Sequence, residues 1–150
     1  MFKKSALTVI MLALAATVAL ADLKPWKDYQ LSDAVWSIST IKVDSNMGEA
    51  YLEGIKGTWV ASNEVAKKLG QIEDYKIYMS DLPDSGQFNM LLIVKFKNTA
   101  DLGPSQARYD AFMKEWGETR AKETTEFAQK NYPAMRKITG QYMMREVTLK

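Results

Sequence analysis

The residues best placed to do chemistry in this chain are aromatic rings and one amide. Tyr51, Ile55 and Trp59 recur every fourth residue in "YLEGIKGTW", and Tyr109 and Trp116 bracket a similar run, "YDAFMKEW". At helical spacing each set forms a single stripe. Such rings either fill a core, the commoner fate in a small domain, or wall a cleft that holds a flat guest. Gly54 and Gly57, small beside large, would leave room for the second outcome. Trp36 lies on an alternating segment, and Asn89 is the lone amide in the apolar run "FNMLLIVKF". Tyr and Trp each bring a polar atom that needs a partner when buried, and an amide can orient a ligand. Trp36, Tyr51, Trp59, Asn89 and Trp116 are therefore the candidate ligand contacts.

The composition excludes more chemistry than these residues offer. Histidine and cysteine are both absent, so Ser-His-Asp and Cys-His nucleophiles, Cys/His zinc sites and histidine-ligated haem cannot be built. A metal could use only carboxylates and carbonyls, and no Asp/Glu spacing resembles a calcium loop. The nine methionines are scattered rather than grouped in a copper-binding run. No metal and no cofactor are expected.

Residues 1–21 combine a basic start (Lys3, Lys4), an apolar run from Ala6 to Leu20 and small residues at the end, the layout of a cleaved secretory signal. The run is short for a bilayer span, and a polar segment opens at Asp22; an uncleaved anchor is the alternative. The expected location is periplasmic or secreted, with no membrane contact after cleavage. Cleavage also changes the electrostatics. Of 20 Lys+Arg and 18 Asp+Glu, the leader takes two lysines and no acid, which leaves a formally neutral chain. Without net charge or a basic aromatic motif, nucleic acid is not an expected partner.

Residues 22–33 are polar, carry Pro25 and read as an irregular arm with Trp26 and Tyr29 as anchors. Residues 34–150 read as one domain large enough for a real core. Its first strand is expected over 34–43, rich in β-branched residues. A helix follows over 46–69, with Asn46 as its cap, Glu49 in capping-box position and Gly70 as its left-handed stop. Gly54 and Gly57 each cost about 1 kcal/mol against alanine in a helix interior, so the helix either kinks there or lies very close to the sheet. Strands are expected over 71–80 and 88–96 around the turn "DLPDSGQ", the second apolar on both faces as a central strand must be. A second helix should open at Pro104 and bury Tyr109, Phe112, Met113 and Trp116. A solvated, charge-paired stretch follows, re-anchored by Phe127. "AMRKIT" reads as a short extra helix, and 141–149 as the last strand.

This order, strand-helix-strand-strand-helix-strand, is two split βαβ units. It predicts an α+β, ferredoxin-like βαββαβ fold with a four-stranded antiparallel sheet and both helices on one face. The other face stays bare although the central strands are apolar on both sides. Val35, Ile41, Leu91 and Ile93 are assigned to it. Burying four such side chains is worth roughly 6–12 kcal/mol per subunit, against an association cost of about 4–15 kcal/mol. A symmetric homodimer is expected; its rival is a monomer whose arm folds across the bare face.

The pattern "IKV…EAYLEGIKGTW…AKKLGQIEDYKIYM…FNMLLIVKFKNTADL" resembles the dimeric α+β barrel superfamily over roughly residues 35–149. Its most specific parts are the helix ending in Lys-Lys-Leu-Gly and the strand-to-helix junction "VKFKNTADL". The superfamily includes antibiotic-biosynthesis and haem-degrading monooxygenases. The resemblance implies a sheet-to-sheet dimer and, in each subunit, a cleft between sheet and helices where relatives hold ligands. The haem-degrading branch relies on an Asn-Trp-His set whose histidine has no counterpart here, so none of its roles is carried over. The leading functional expectation is an exported dimer that binds a small apolar or aromatic molecule in that cleft. The alternatives are a cofactor-independent monooxygenase acting on a polyphenol or quinol, and a protein-interaction subunit without ligand.

Overall fold

In chain order the computed structural model, which describes residues 22–82 and 85–150, contains β1 (Tyr29–Leu31), β2 (Val35–Val43), α1 (Gly48–Ile55), a π-helical segment (Lys56–Val60), α2 (Ala61–Lys68), β3 (Asp74–Met79), β4 (Met90–Phe96), α3 (Gln106–Trp116), α4 (Glu118–Asn131), β5 (Arg136–Met144) and β6 (Val147–Leu149). The expected leader, residues 1–21, lies outside the described residues. β2 to β5 form a four-stranded antiparallel sheet in the order β3-β4-β2-β5, the ferredoxin-like order. Its two central strands, β2 and β4, are the pair with apolar residues on both faces, as burial on both sides demands.

Register decides which face is which. Ile41 pairs with Met90, and both are 1% exposed in a cluster with Val43, Leu92, Tyr51, Ile55 and Tyr132. That is the face beneath α1. The neighbouring pairs, Ile38 with Ile93 and Thr40 with Leu91, point the other way. The assignment of Val35 and Ile41 to the bare face is therefore corrected. Both are core residues, 3% and 1% exposed, and their places on the outer face are taken by Trp36 and Ile38. With those two substituted the estimate of burial energy becomes an upper bound, because Trp36, Ile38, Leu91 and Ile93 are each already partly buried within the single chain. Tyr78, Tyr142 and Met144 extend the same outer face and are more than half exposed.

The arm is not irregular throughout. Tyr29–Leu31 pairs antiparallel with Val147–Leu149 as a separate two-stranded ribbon, with Leu149 71% exposed. The last long strand also begins earlier than expected, at Arg136, so "RKIT" is strand rather than helix. Gly140 sits inside it, where the β2–β5 register shifts by one residue and the extra Thr139 bonds its hydroxyl to that of Thr40.

The helix layer carries three further corrections. Asn46 does not cap α1: it takes a left-handed φ of 66° in the turn before it, a conformation its short polar side chain tolerates. α3 opens at Gln106 rather than Pro104, because Ser105 accepts from the Arg108 N–H and so caps it. The second helix is split. At Gly117 φ is 85°, a backbone that only glycine enters readily; its N–H closes α3 on Met113 and its carbonyl starts α4 at Ala121.

The two glycines of the first helix have different roles. Gly54 is buried, and a Cβ there would meet the Tyr132 and Phe127 rings at 3.1 and 3.2 Å, so it buys the close approach of α4 to α1. Gly57 lies in the π-helical segment with nothing within 4 Å of a Cβ. Gly54→Val should therefore destabilise by about 1–3 kcal/mol through overpacking, whereas Gly57→Ala should stabilise by about 0.5–1 kcal/mol. Chemical denaturation of the two variants checks the opposite signs.

Candidate functional site

The sheet–helix layer, where a cleft was expected, is filled by the chain's own side chains. Tyr51 is 1% exposed, packed edge-on to Tyr132 at 5.3 Å, and it tops a core of Ile41, Ile55 and Met90. Burial pushes its phenol above the ordinary tyrosine range, against the pull of the nearby Arg136 guanidinium. That guanidinium lies 5.3 Å from the Tyr132 ring centroid, and its buried Nε has no hydrogen-bond partner. Ring faces supply the compensation that a carboxylate would otherwise give.

Space opens at the end of that layer, where Val43, Asn89 and Met90 face the turn before α1 across about 390 Å³, and again between the helices. A groove of about 380 Å³ runs between the π-helical segment, the C-terminal end of α3 and the middle of α4. Trp59, Phe112 and Trp116 form its aromatic part, and Thr58, Ser62, Thr124 and Thr125 its hydroxyl-bearing part. Each position has a local cause. Trp59 is carried by the π-helical segment, a feature that recurs at functional sites. Its carbonyl accepts from Ser62 and from the buried Asn63 amide, at 2.9 and 2.7 Å, and its ring meets Tyr75 edge-on at 5.4 Å. Trp116 is the last residue of α3, stacked on Phe112 at 5.9 Å and 6% exposed. The break at Gly117 swings α4 alongside it.

The five candidate contacts thus separate. Trp59 and Trp116, from different elements, come together in the groove. Tyr51 is core. Trp36 lies on the outer sheet face, with Lys95, ion-paired to Glu73, 5.4 Å above its ring centroid. Asn89 lies at the far end of β4. Its amide donates to the Val43 carbonyl and accepts from the Val43 N–H, both at 2.8 Å, so the side chain continues the β2–β4 ladder beyond Met90. The echo between "YLEGIKGTW" and "YDAFMKEW" holds for the tryptophans and fails for the tyrosines, since Tyr109 is 59% exposed. Sequence reading missed Thr124, Thr125 and Ala128. The signal was present: Ala121, Thr124, Thr125 and Ala128 make a small, uncharged stripe at helical spacing in an otherwise charged helix.

Beside the groove, Tyr75 donates a short hydrogen bond to Glu64, and this bond more than burial holds its pKa up at about 12. Lys67 pairs with Asp74 at 2.8 Å, which raises the lysine and lowers the carboxyl.

No protein-family model matches the chain, and no curated protein matches it. Solved structures do resemble it. HapK from Hahella chejuensis shares 14% identity over 75% of this chain and 91% of that one, at a TM-score of 0.44. A NIPSNAP family protein of unknown function from Agrobacterium tumefaciens shares 15% over 75% and 87%, at 0.48. A dimeric protein of unknown function and ferredoxin-like fold from Bacteroides fragilis shares 11% over 80% and 99%, at 0.40. Two further neighbours, from Thermobifida fusca and an uncultured marine organism, are also described as dimeric ferredoxin-like proteins. At such identities the likeness concerns the chain path alone, and no role is carried over from them.

Two outcomes follow from this geometry. Asn89→Ala should cost about 1–3 kcal/mol by leaving both Val43 backbone groups without their partner, and it should leave the tryptophan environment in the groove unchanged; denaturation monitored by fluorescence reads both. Tyr75, with its folded pKa raised above the unfolded value of 10.0, should contribute stability below pH 10 and lose it as pH climbs towards 12. Spectrophotometric titration should find Tyr75 ionising late, as the buried Tyr51 also should, and Glu64→Gln should lower Tyr75 alone.

Proposed function

We propose that this chain is an exported, homodimeric binding protein whose two copies cover each other's bare sheet faces and whose inter-helix groove holds a small flat apolar or aromatic molecule. The observation that carries the ligand is the convergence of Trp59 and Trp116 on one groove of about 380 Å³, within the size range of sites for small molecules. Trp59 and Phe112 give the stacking surface, and Trp116, covered by Phe112 and Arg120, holds Phe112 in place. The expected location of the site thereby moves from the sheet–helix layer, which is packed, to the outside of the same helices. What supports the dimer is the row of Trp36, Ile38, Leu91 and Ile93 facing away from the core, bordered by Lys95 and Lys76. Export rests on the pattern of residues 1–21.

Isothermal titration of the purified protein with 2-naphthol tests the groove. Binding is expected, with a loss of about two- to tenfold in Trp59→Ala, the size of one lost aromatic stacking contact. Undiminished binding in Trp59→Ala and in Thr125→Trp, which fills the groove, would move the ligand elsewhere. N-terminal sequencing of the exported species, expected to begin at Asp22, checks the leader; a start at Met1 contradicts it.

A further inference from the structure

A single cation stands over the aromatic end of the groove. Arg120, on α4, lays its guanidinium on the Trp116 ring, 4.1 Å from the centroid. Trp116 is itself buried and stacked on Phe112, so the platform is fixed. Among the described residues Arg120 forms no ion pair and its guanidinium makes no hydrogen bond, so its N–H groups have no protein partner. Stacking uses the flat face of a guanidinium and leaves its N–H fork free in the plane, the geometry that takes a carboxylate bidentately. Arg120 also lies one turn before Thr124 on the same helix face, and the Thr124 hydroxyl donates to its carbonyl at 2.8 Å.

The hydroxyls of the groove complement that donor. Ser62 gives its proton to the Trp59 carbonyl, and Thr124 and Thr125 give theirs to carbonyls of α4. Thr58 is shared between the Gly54 carbonyl and the Tyr132 phenol. With their protons committed, these oxygens can accept a hydrogen bond but have none to give. The groove therefore offers hydroxyl acceptors from the π-helical segment and α2 on one side and from α4, beside the Gln129 amide, on the other, and Arg120 stands next to its aromatic end over the Trp116 ring.

We infer that the ligand of this groove is a planar aromatic acid bearing a ring hydroxyl. The ring lies against Trp59 and Phe112, the carboxylate takes the Arg120 fork, and the hydroxyl donates to a threonine or serine oxygen. This deepens the proposed function and rests on its claim that the groove holds an aromatic molecule. Calorimetric titration with 6-hydroxy-2-naphthoate and with neutral 2-naphthol separates the two claims. The naphthoate is expected to bind at least about tenfold tighter, as one charge-assisted contact requires. Arg120→Gln should erase that preference and Arg120→Lys, a charge without the planar fork, should restore only part of it. Arg120 is exposed, so these variants leave the core intact. Equal binding of the two probes, or a preference that persists in Arg120→Gln, overturns the inference and leaves the aromatic groove standing. No binding of either probe overturns both.

Discussion

A sheet has two faces, and this chain has helices for only one. That constraint governs the rest of the molecule. β2 and β4 must be apolar towards α1, where Ile41, Met90 and Leu92 meet Tyr51 and Ile55. They are apolar on the other side as well, at Trp36, Ile38, Leu91 and Ile93. A chain that stayed single would bury the second set only in part. The ribbon of β1 and β6 does not bury its own apolar residues, as the exposure of Leu31, Val147 and Leu149 shows. In the proposed dimer a twofold axis through the sheet sets two such identical faces together.

The same economy shapes the helix layer. One long helix lies across the sheet, and Gly54 lets Phe127 and Tyr132 approach it closely. The π-helical segment then shifts the register of the turns that follow, and the left-handed break at Gly117 redirects the second helix. Three helical pieces that meet at such irregularities do not pack flush. Trp59 and Trp116 both line the gap between them, and beside it Arg120 keeps an unpaired charge over the fixed Trp116 ring.

The fold was legible because alternation and helical period are strong signals. Strand 34–43 and the apolar strand ending at Phe96 were placed to within two residues of their observed ends. Face assignment was not legible. β2 is apolar on both sides, and the choice between Val35/Ile41 and Trp36/Ile38 is made by where α1 lands. Gly140 lies before the strand expected over 141–149, yet it is inside β5 beside the bulge at Thr139, and a Cβ there would meet the Tyr142 hydroxyl at 2.6 Å. Of the site, the two tryptophans were legible as stripe residues. Arg120 was not, since a stacked arginine and a solvated one are the same letter within a charged run.

Sedimentation equilibrium of the purified protein at micromolar concentration tests the central claim most directly. Two identical bare sheet faces predict a species of twice the chain mass that persists on dilution through that range. A stable single chain under the same conditions would contradict the account, since Trp36, Ile38, Leu91 and Ile93 would then face water.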